Sequence, residues 1–597
     1  MYLGMASSVP RMSLALIAAM FCLPMITAYH QVPIPNFYGE WIAALCGLLA
    51  LSPLLTKHFW QSSIPRASFI FLGLLLTIQL QMLFQMHPAS PNVSLIEAYV
   101  SWAFFLTLLG WHLRKSLGLK SVVTTLAWAL VLAAAINSVF VVLQLLLQFE
   151  ILQTLNLAKL IPHLTSYGML GQSNHFANIT ALAMCSLIYL YSRHACNRTW
   201  LIIGLLTGLC LLSLSGSRSS LLYLIAIAML CWVRQRQPSS ETESPDTAIT
   251  LFRLSLILIP TFVILQIVLT TFLPQAFIHT PVARAMEAVI NPSASLRWQF
   301  WQTSLALFNQ SPLLGMGIGQ IRWQTFVTAD LPTINHAHMF FEHAHNLFLH
   351  LLTEVGLVGL IIVFAGLILW ILPFFKQRSR DPETIWLLGI LAILGIHSQL
   401  EYPLWYSYFL GICAFLLGVG EFSEIKLSHL SNAAKASLKL TFAAAFIYGL
   451  VQLTLMQIAY QKLERQIHIA SQTEMSSSEK QTLVEEMLWV SDHSLLSPYG
   501  DLVLATYLVP NTAQADIQLS IAERAAQFIP LRRPCLNLVV LLEMNHRHPE
   551  ALQLLRSLRR MAGDRLEQDI AQLPADNLAL LNALLLQADT PPLKRSL

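Results

Sequence analysis

Five histidines, His336, His338, His343, His345 and His350, crowd into the stretch where a long polar loop meets an apolar run. Average composition would place roughly half of one there. Histidine is the side chain that takes up and returns a proton near neutral pH. Three readings suit such a group. It can be a solvated loop whose imidazoles do nothing. His343-x-His345 can offer two ligands to zinc, although only Glu342 and Glu354 stand nearby to complete a set. Or one imidazole can serve as general base toward a hydroxyl, which needs a rigid mount such as the start of a helix.

Arginines at the edges of apolar runs form a second group. Arg218 lies in Ser215-Gly216-Ser217-Arg218-Ser219-Ser220, a tight turn between two such runs. It can snorkel to lipid phosphates, or its planar five-donor fork can clamp a pyrophosphate. Arg297, in Leu296-Arg297-Trp298-Gln299-Phe300-Trp301, invites the same reading or that of an interfacial helix anchored by Trp298 and Trp301. Gly171-Gln172-Ser173-Asn174-His175-Phe176-Ala177-Asn178 packs amides and hydroxyls at the mouth of another apolar run, as a helix cap or as a sugar-binding surface. In Glu401-Tyr402-Pro403-Leu404-Trp405-Tyr406, Pro403 starts a helix and the aromatics suit a membrane belt; Glu401 and Tyr402 on so short a turn would face outward.

The elements that position these residues follow from composition. The 597-residue chain is 55% hydrophobic and 11% charged, with mean hydropathy +0.60. Continuous apolar runs rather than alternating ones predict an all-α polytopic membrane protein. The net charge of +4 gives no sign of nucleic-acid binding. None of the eight cysteines forms a CxxC pair, so neither a disulfide framework nor a zinc–thiolate site is expected. Windows of about 19 residues predict thirteen spans, near 12–29, 41–55, 67–86, 96–113, 121–149, 177–192, 200–215, 219–234, 251–272, 346–374, 383–399, 402–420 and 438–459. The first follows Arg11 and reads as a retained anchor, because no small-x-small cleavage site follows it. Lysine and arginine divide about 17 against 5 between the two sets of loops, so the richer set is cytoplasmic, with the N-terminus. The loops 150–176 and 273–345, the turns at 215–219 and 400–402, and everything after 460 then face outward. The segment 236–249 reads as a flexible cytoplasmic loop. The expected domains are a membrane unit, 1–460, and a soluble unit, 461–597. In the latter, helices such as Ala513–Phe528 and Pro549–Met561 resemble tetratricopeptide-like hairpins.

Taken in order, these segments resemble the bacterial O-antigen ligase superfamily, and most of all its protein-directed branch, the PglL-type O-oligosaccharyltransferases. The resemblance is carried by Gly171–Asn178, Ser215–Ser220, Arg297…Trp301…Pro312-x-x-Gly315-x-Gly317, His343-Ala344-His345-Asn346 with Glu354-x-Gly356, and Glu401-Tyr402-Pro403. It covers roughly residues 10–460 and implies a GT-C-like glycosyltransferase of the bacterial inner membrane with a periplasmic active site. Such enzymes move a preassembled oligosaccharide from undecaprenyl pyrophosphate to a periplasmic acceptor, in this branch a protein Ser or Thr, often of a type IV pilin. The resemblance implies catalysis without metal or cofactor. It maps His345 onto the essential histidine, with His343 as runner-up, and Gln172 and Tyr402 onto positions that orient donor or acceptor. Asn174, His175 and Glu401 are candidate substrate contacts, and Arg218 and Arg297 the donor-pyrophosphate contacts. His336 and His338 stand outside the motif. Three other readings use the same features: a lipopolysaccharide ligase, an O-antigen polymerase, and a transporter of the lipid-linked glycan. A transporter should carry buried mid-span charges or broken helices.

Overall fold

Backbone groups in hydrocarbon have no water to bond, so apolar runs of this length fold into helices. The computed structural model describes residues 2–56, 59–61, 63–84, 90–148, 168–236, 245–272, 296–328, 341–377, 381–472 and 475–588. His336 and His338, residues 273–295 and 329–340 of the long loop, and most of 236–249 lie outside the described residues. In chain order the helices are α1 (Tyr2–Cys22), α2 (Phe37–Ala50), α3 (Ser68–Leu83), α4 (Val93–Leu117), α5 (Leu119–Gln148), α6 (Ser173–Ser192), α7 (Arg198–Leu214), α8 (Ser219–Gln235) and α9 (Pro245–Phe272). Then come α10 (Leu296–Gln310), α11 (Ile321–Val327), α12 (Leu347–Gln377), α13 (Pro382–Leu400), α14 (Ser407–Gly420) and α15 (Asn432–Gln472). The tail adds α16 (Ser477–His493), α17 (Ser497–Tyr507), α18 (Ala515–Phe528), α19 (Arg532–Met544), α20 (His548–Ala562), α21 (Asp564–Ile570) and α22 (Ala575–Ala588).

Each of the thirteen apolar segments falls on a helix. Among the described residues, eight helices are long and apolar enough to cross a membrane, namely α1, α2, α4, α5, α9, α12, α13 and α15 with their short extensions. α3, α7, α8 and α14 are apolar but shorter. The chain is therefore a multi-pass, mostly helical membrane protein, and length alone supports fewer crossings than hydropathy windows do. The main core joins α1, α2, α4 to α8, α13 and α14. α4 and α14 meet backbone to backbone, as small residues permit in membranes: Thr107 Oγ1 donates to the Ala414 carbonyl at 3.0 Å. At the far end of α14, Arg114 donates to the carbonyls of Val419 (2.8 Å) and Glu421 (2.7 Å). There a two-stranded clip, β1 (Ser63–Pro65) with β2 (Glu424–Lys426), pairs antiparallel.

α12 is broken about two and a half turns after its start. Gly356 has φ 64° and ψ −165°, which frees backbone groups that must find other partners. The loop carrying Pro312-x-x-Gly315-x-Gly317 supplies them. Leu357 and Val358 donate to the carbonyls of Pro312 (2.9 Å) and Leu313 (3.1 Å), while Met316 and Gly317 donate to those of Thr353 (2.8 Å) and Glu354 (3.1 Å). Gln81 Nε2 adds a bond to the Glu354 carbonyl at 2.7 Å. A Cβ at Gly315 would strike the Glu354 backbone, and one at Gly356 the Leu313 carbonyl. The two glycine motifs are thus halves of one fit, and they fix the helix that begins two residues after His345.

α15 is 41 residues long, about 60 Å at 1.5 Å per residue and twice a bilayer's hydrocarbon core. It runs through position 460 unbroken and delivers the tail. The tail docks at two places. Its helices α16 and α17 pack with the C-terminal part of α15 around Phe37. Its helices α18 to α20 bury Phe326, with Trp323 and Val327 against the same core.

Gly356→Ala should destabilise the protein by about 1–3 kcal/mol from the left-handed backbone alone, with the clash in addition. A thermal melt in detergent reads this as a clear drop in Tm; an unchanged melt would contradict the account of the kink.

Candidate functional site

One carboxylate gathers the sequence motifs. Glu401, just past the end of α13, is 7% exposed. Its Oε2 accepts from His345 Nδ1 at 2.7 Å. Its Oε1 accepts from Arg297 at 2.8 Å and from Asn174 Nδ2 at 2.9 Å. Asn174 Oδ1 in turn accepts from Ser217 Oγ at 2.7 Å, one residue before Arg218. Four segments far apart in sequence are joined through this single group.

Each residue of the His343–Asn346 run has a distinct task. Asn346 Oδ1 accepts from the Leu349 N–H at 3.0 Å and so caps the start of α12. Ala344 is fully buried, and its carbonyl accepts from Trp301 Nε1 at 3.1 Å. His345 has φ +49°, a left-handed conformation that costs a non-glycine residue of order 1 kcal/mol or more and clusters at functional sites. With Glu401 accepting from Nδ1, the Nε2 lone pair is left for a proton. The ring is partly exposed, lies roughly parallel to Phe300 and meets Tyr402 edge-on.

His343 is different. It is 6% exposed, and its ring stacks on Tyr402 at 3.9 Å and abuts Trp405. Burial first, then the neighbouring His350 and the Arg322 charge, hold it well below the ordinary histidine range, so it stays neutral. The arrangement makes it packing beneath Tyr402 rather than a group reaching outward. His350 lies deeper, with Nε2 3.2 Å from Glu354 Oε2 but misaligned for a hydrogen bond.

Burial pushes the Glu401 carboxyl upward, but the His345 hydrogen bond, with the charges of His345 and Arg297, pulls it further down, below its ordinary value. A buried carboxylate without such partners would be costly. Arg297 is therefore held by Glu401, with its side chain about half exposed. Arg218, which precedes α8, is exposed. Gln172 stands at the start of α6, its Oε1 buried and without a hydrogen-bond partner among the described residues. His175 is 1% exposed beneath the site, its Nδ1 3.1 Å from the Tyr408 hydroxyl; it supports the floor rather than lining a surface. Sequence reasoning missed His397, fully buried and 5.6 Å from the His175 ring. Its place one helical turn before Glu401 was the available signal. Among the described residues no group of three or more His, Cys, Asp or Glu converges on a metal-sized site.

The family model described as O-Antigen ligase matches residues 203–364, and that described as Virulence factor membrane-bound polymerase, C-terminal, matches 385–571. The chain belongs to the O-antigen ligase superfamily. Its likeness within the superfamily is to the PglL-type branch. It is 24% identical over 431 residues to a general O-oligosaccharyltransferase of Acinetobacter baylyi, covering 70% of this chain and 71% of that protein. It is 26% identical over 400 residues to the ComP-specific O-oligosaccharyltransferase of the same organism, covering 66% and 68%. A shorter match, 31% over 131 residues, is to the exopolysaccharide production protein ExoQ of Rhizobium meliloti, covering 20% and 28%. The O-Antigen ligase match spans Ser215–Ser220, Arg297 and the His343–Asn346 run, and the second match contains Glu401, so the hub links residues of both.

Because the folded-state carboxyl is depressed, the stabilisation that Glu401 gives is full above about pH 4.5, its ordinary value, and fades as pH falls through the lowered one. The Tm gap between wild type and Glu401→Gln should accordingly be widest near neutrality and shrink toward pH 3. A gap that is flat or grows with acid would contradict this assignment.

Proposed function

We propose that this protein is a protein O-oligosaccharyltransferase of the bacterial inner membrane. It takes a preassembled glycan from an undecaprenyl pyrophosphate carrier and attaches it to a Ser or Thr hydroxyl of a periplasmic protein, with a pilin as the favoured acceptor. The single observation that carries this reading is Glu401, which binds His345 Nδ1 with one oxygen and Arg297 with the other. One carboxylate thereby orients a base and sets a phosphate-binding cation beside it.

The chemistry follows from those positions. His345 Nε2 takes the proton of the acceptor hydroxyl as its oxygen bonds to the sugar C1. The C1–O bond to the carrier breaks, and the leaving pyrophosphate departs with the electron pair. It needs charge stabilisation rather than a proton, which Arg218 and the outer edge of Arg297 supply. Direct displacement inverts the anomeric centre. Gln172 and Tyr402 orient donor or acceptor, and Asn174 holds Glu401 toward the Arg218 turn. The topology of this reading has thirteen crossings, a cytoplasmic N-terminus and a periplasmic tail that presents the acceptor. The names of the two Acinetobacter relatives support transfer to protein. The O-Antigen ligase and membrane-bound polymerase family descriptions favour, as second reading, the same chemistry with a glycan or lipid acceptor.

In proteoliposomes supplied with lipid-linked oligosaccharide and a Ser-containing pilin, wild type should glycosylate the pilin in the presence of EDTA. His345→Ala should lose transfer by about 10²–10⁴-fold, the usual range for a general base, and His343→Ala by clearly less. Extension of glycan or modification of lipid A-core with the pilin untouched would move the acceptor to the second reading. Full activity of His345→Ala would overturn the mechanism.

A further inference from the structure

Arg322, on α11, touches the tail and the histidine loop at the same time. Its guanidinium is nearly buried, and one NH group pairs with Glu342. Another donates to the Phe528 carbonyl at 3.0 Å, and the cation lies 5.7 Å from the Phe528 ring centroid. Phe528 ends α18, where unpaired carbonyls and the helix dipole favour a cation. Glu342 Oε1 is in turn 3.6 Å from His343 Nε2. His343 stacks on Tyr402, and Tyr402 follows Glu401, which holds the base. On the same helix Phe326 is buried in the tail core, with Trp323 and Val327 packed against it, so α11 is held by the tail.

We infer that Arg322 is a positioning residue that fastens the C-terminal domain to the histidine loop, so that docking of the tail sets the geometry of His345. The inference rests on the proposed transferase reading. An exposed ion pair would contribute little. Here the arginine side chain is 11% exposed, although Glu342 is 57% exposed, and it makes three contacts to two residues, Glu342 and Phe528, so its removal frees both the end of α18 and the Glu342–His343 edge. The coupling runs through contiguous packed groups, each of which is in contact with the next.

The test uses the full-length enzyme in proteoliposomes with lipid-linked oligosaccharide and the Ser-containing pilin. Arg322→Ala should lower kcat about tenfold while KM for the donor changes less than about threefold. Arg322→Lys, which keeps the charge but not the fork, should recover part of the loss. Glu342→Gln should lower kcat by a smaller factor, and the double variant Arg322→Ala/Glu342→Gln should be no slower than Arg322→Ala alone. A kcat within twofold of wild type, a rise in donor KM alone, or losses that multiply would each overturn the inference. If Arg322→Ala does not fold, Arg322→Lys and Glu342→Gln decide it by the same kcat criterion. Hydrogen exchange over residues 341–346 gives a readout free of turnover: faster exchange in Arg322→Lys supports the fastening role, and unchanged exchange contradicts it. A wild type inactive on the pilin would count against the proposed function, while exchange would still decide the role of Arg322.

Discussion

The site depends on one buried carboxylate. A charge at 7% exposure near the membrane edge is tolerable only when hydrogen-bonded and paired on every side. Glu401 meets that condition by drawing in Asn174, Arg297 and His345, which precede it in the chain by 227, 104 and 56 positions. Removing any one partner leaves a charge or a donor unmatched, so the same requirement that stabilises the cluster also fixes the tautomer and aim of the imidazole. Backbone strain at His345 is sustained by these bonds together with the Asn346 cap and the Trp301 bond to the Ala344 carbonyl.

The helical frame was legible in the sequence because hydropathy follows directly from the bilayer's demand that backbone groups be satisfied internally. All thirteen apolar runs are helices, but how many cross depends on length, and four of them are shorter than a bilayer is thick. The candidate residues stood out by type and place: His345 in a histidine cluster, Arg218 in a tight turn between two apolar runs, and Glu401 on a short turn. Their partnerships did not. Nothing in Glu401-Tyr402-Pro403 shows which histidine its carboxylate meets, nor that Arg297 would be held by it, since both are set by tertiary packing. His343 and His345 look equivalent two residues apart; burial beneath Tyr402 and Trp405 separates them. The glycine motifs around 315 and 356 were visible as signatures, while their meaning as two halves of one broken-helix repair needed the backbone bonds.

The tail is more than an appendage. α15 carries it past the membrane, Phe37 anchors its near end, and α11 penetrates its far core. The tail and the segment carrying α11 therefore pack as one unit, and under the proposed function that unit would join the acceptor-presenting tail to the loop carrying His345.

The central claim is that Glu401 makes His345 a base without touching substrate itself. The most direct measurement is the single-turnover transfer rate of Glu401→Gln, a nearly isosteric change, at saturating donor and neutral pH. The account predicts a loss of about 10²-fold or more, comparable to removing the imidazole, with donor binding retained. Transfer within about twofold of wild type would contradict it.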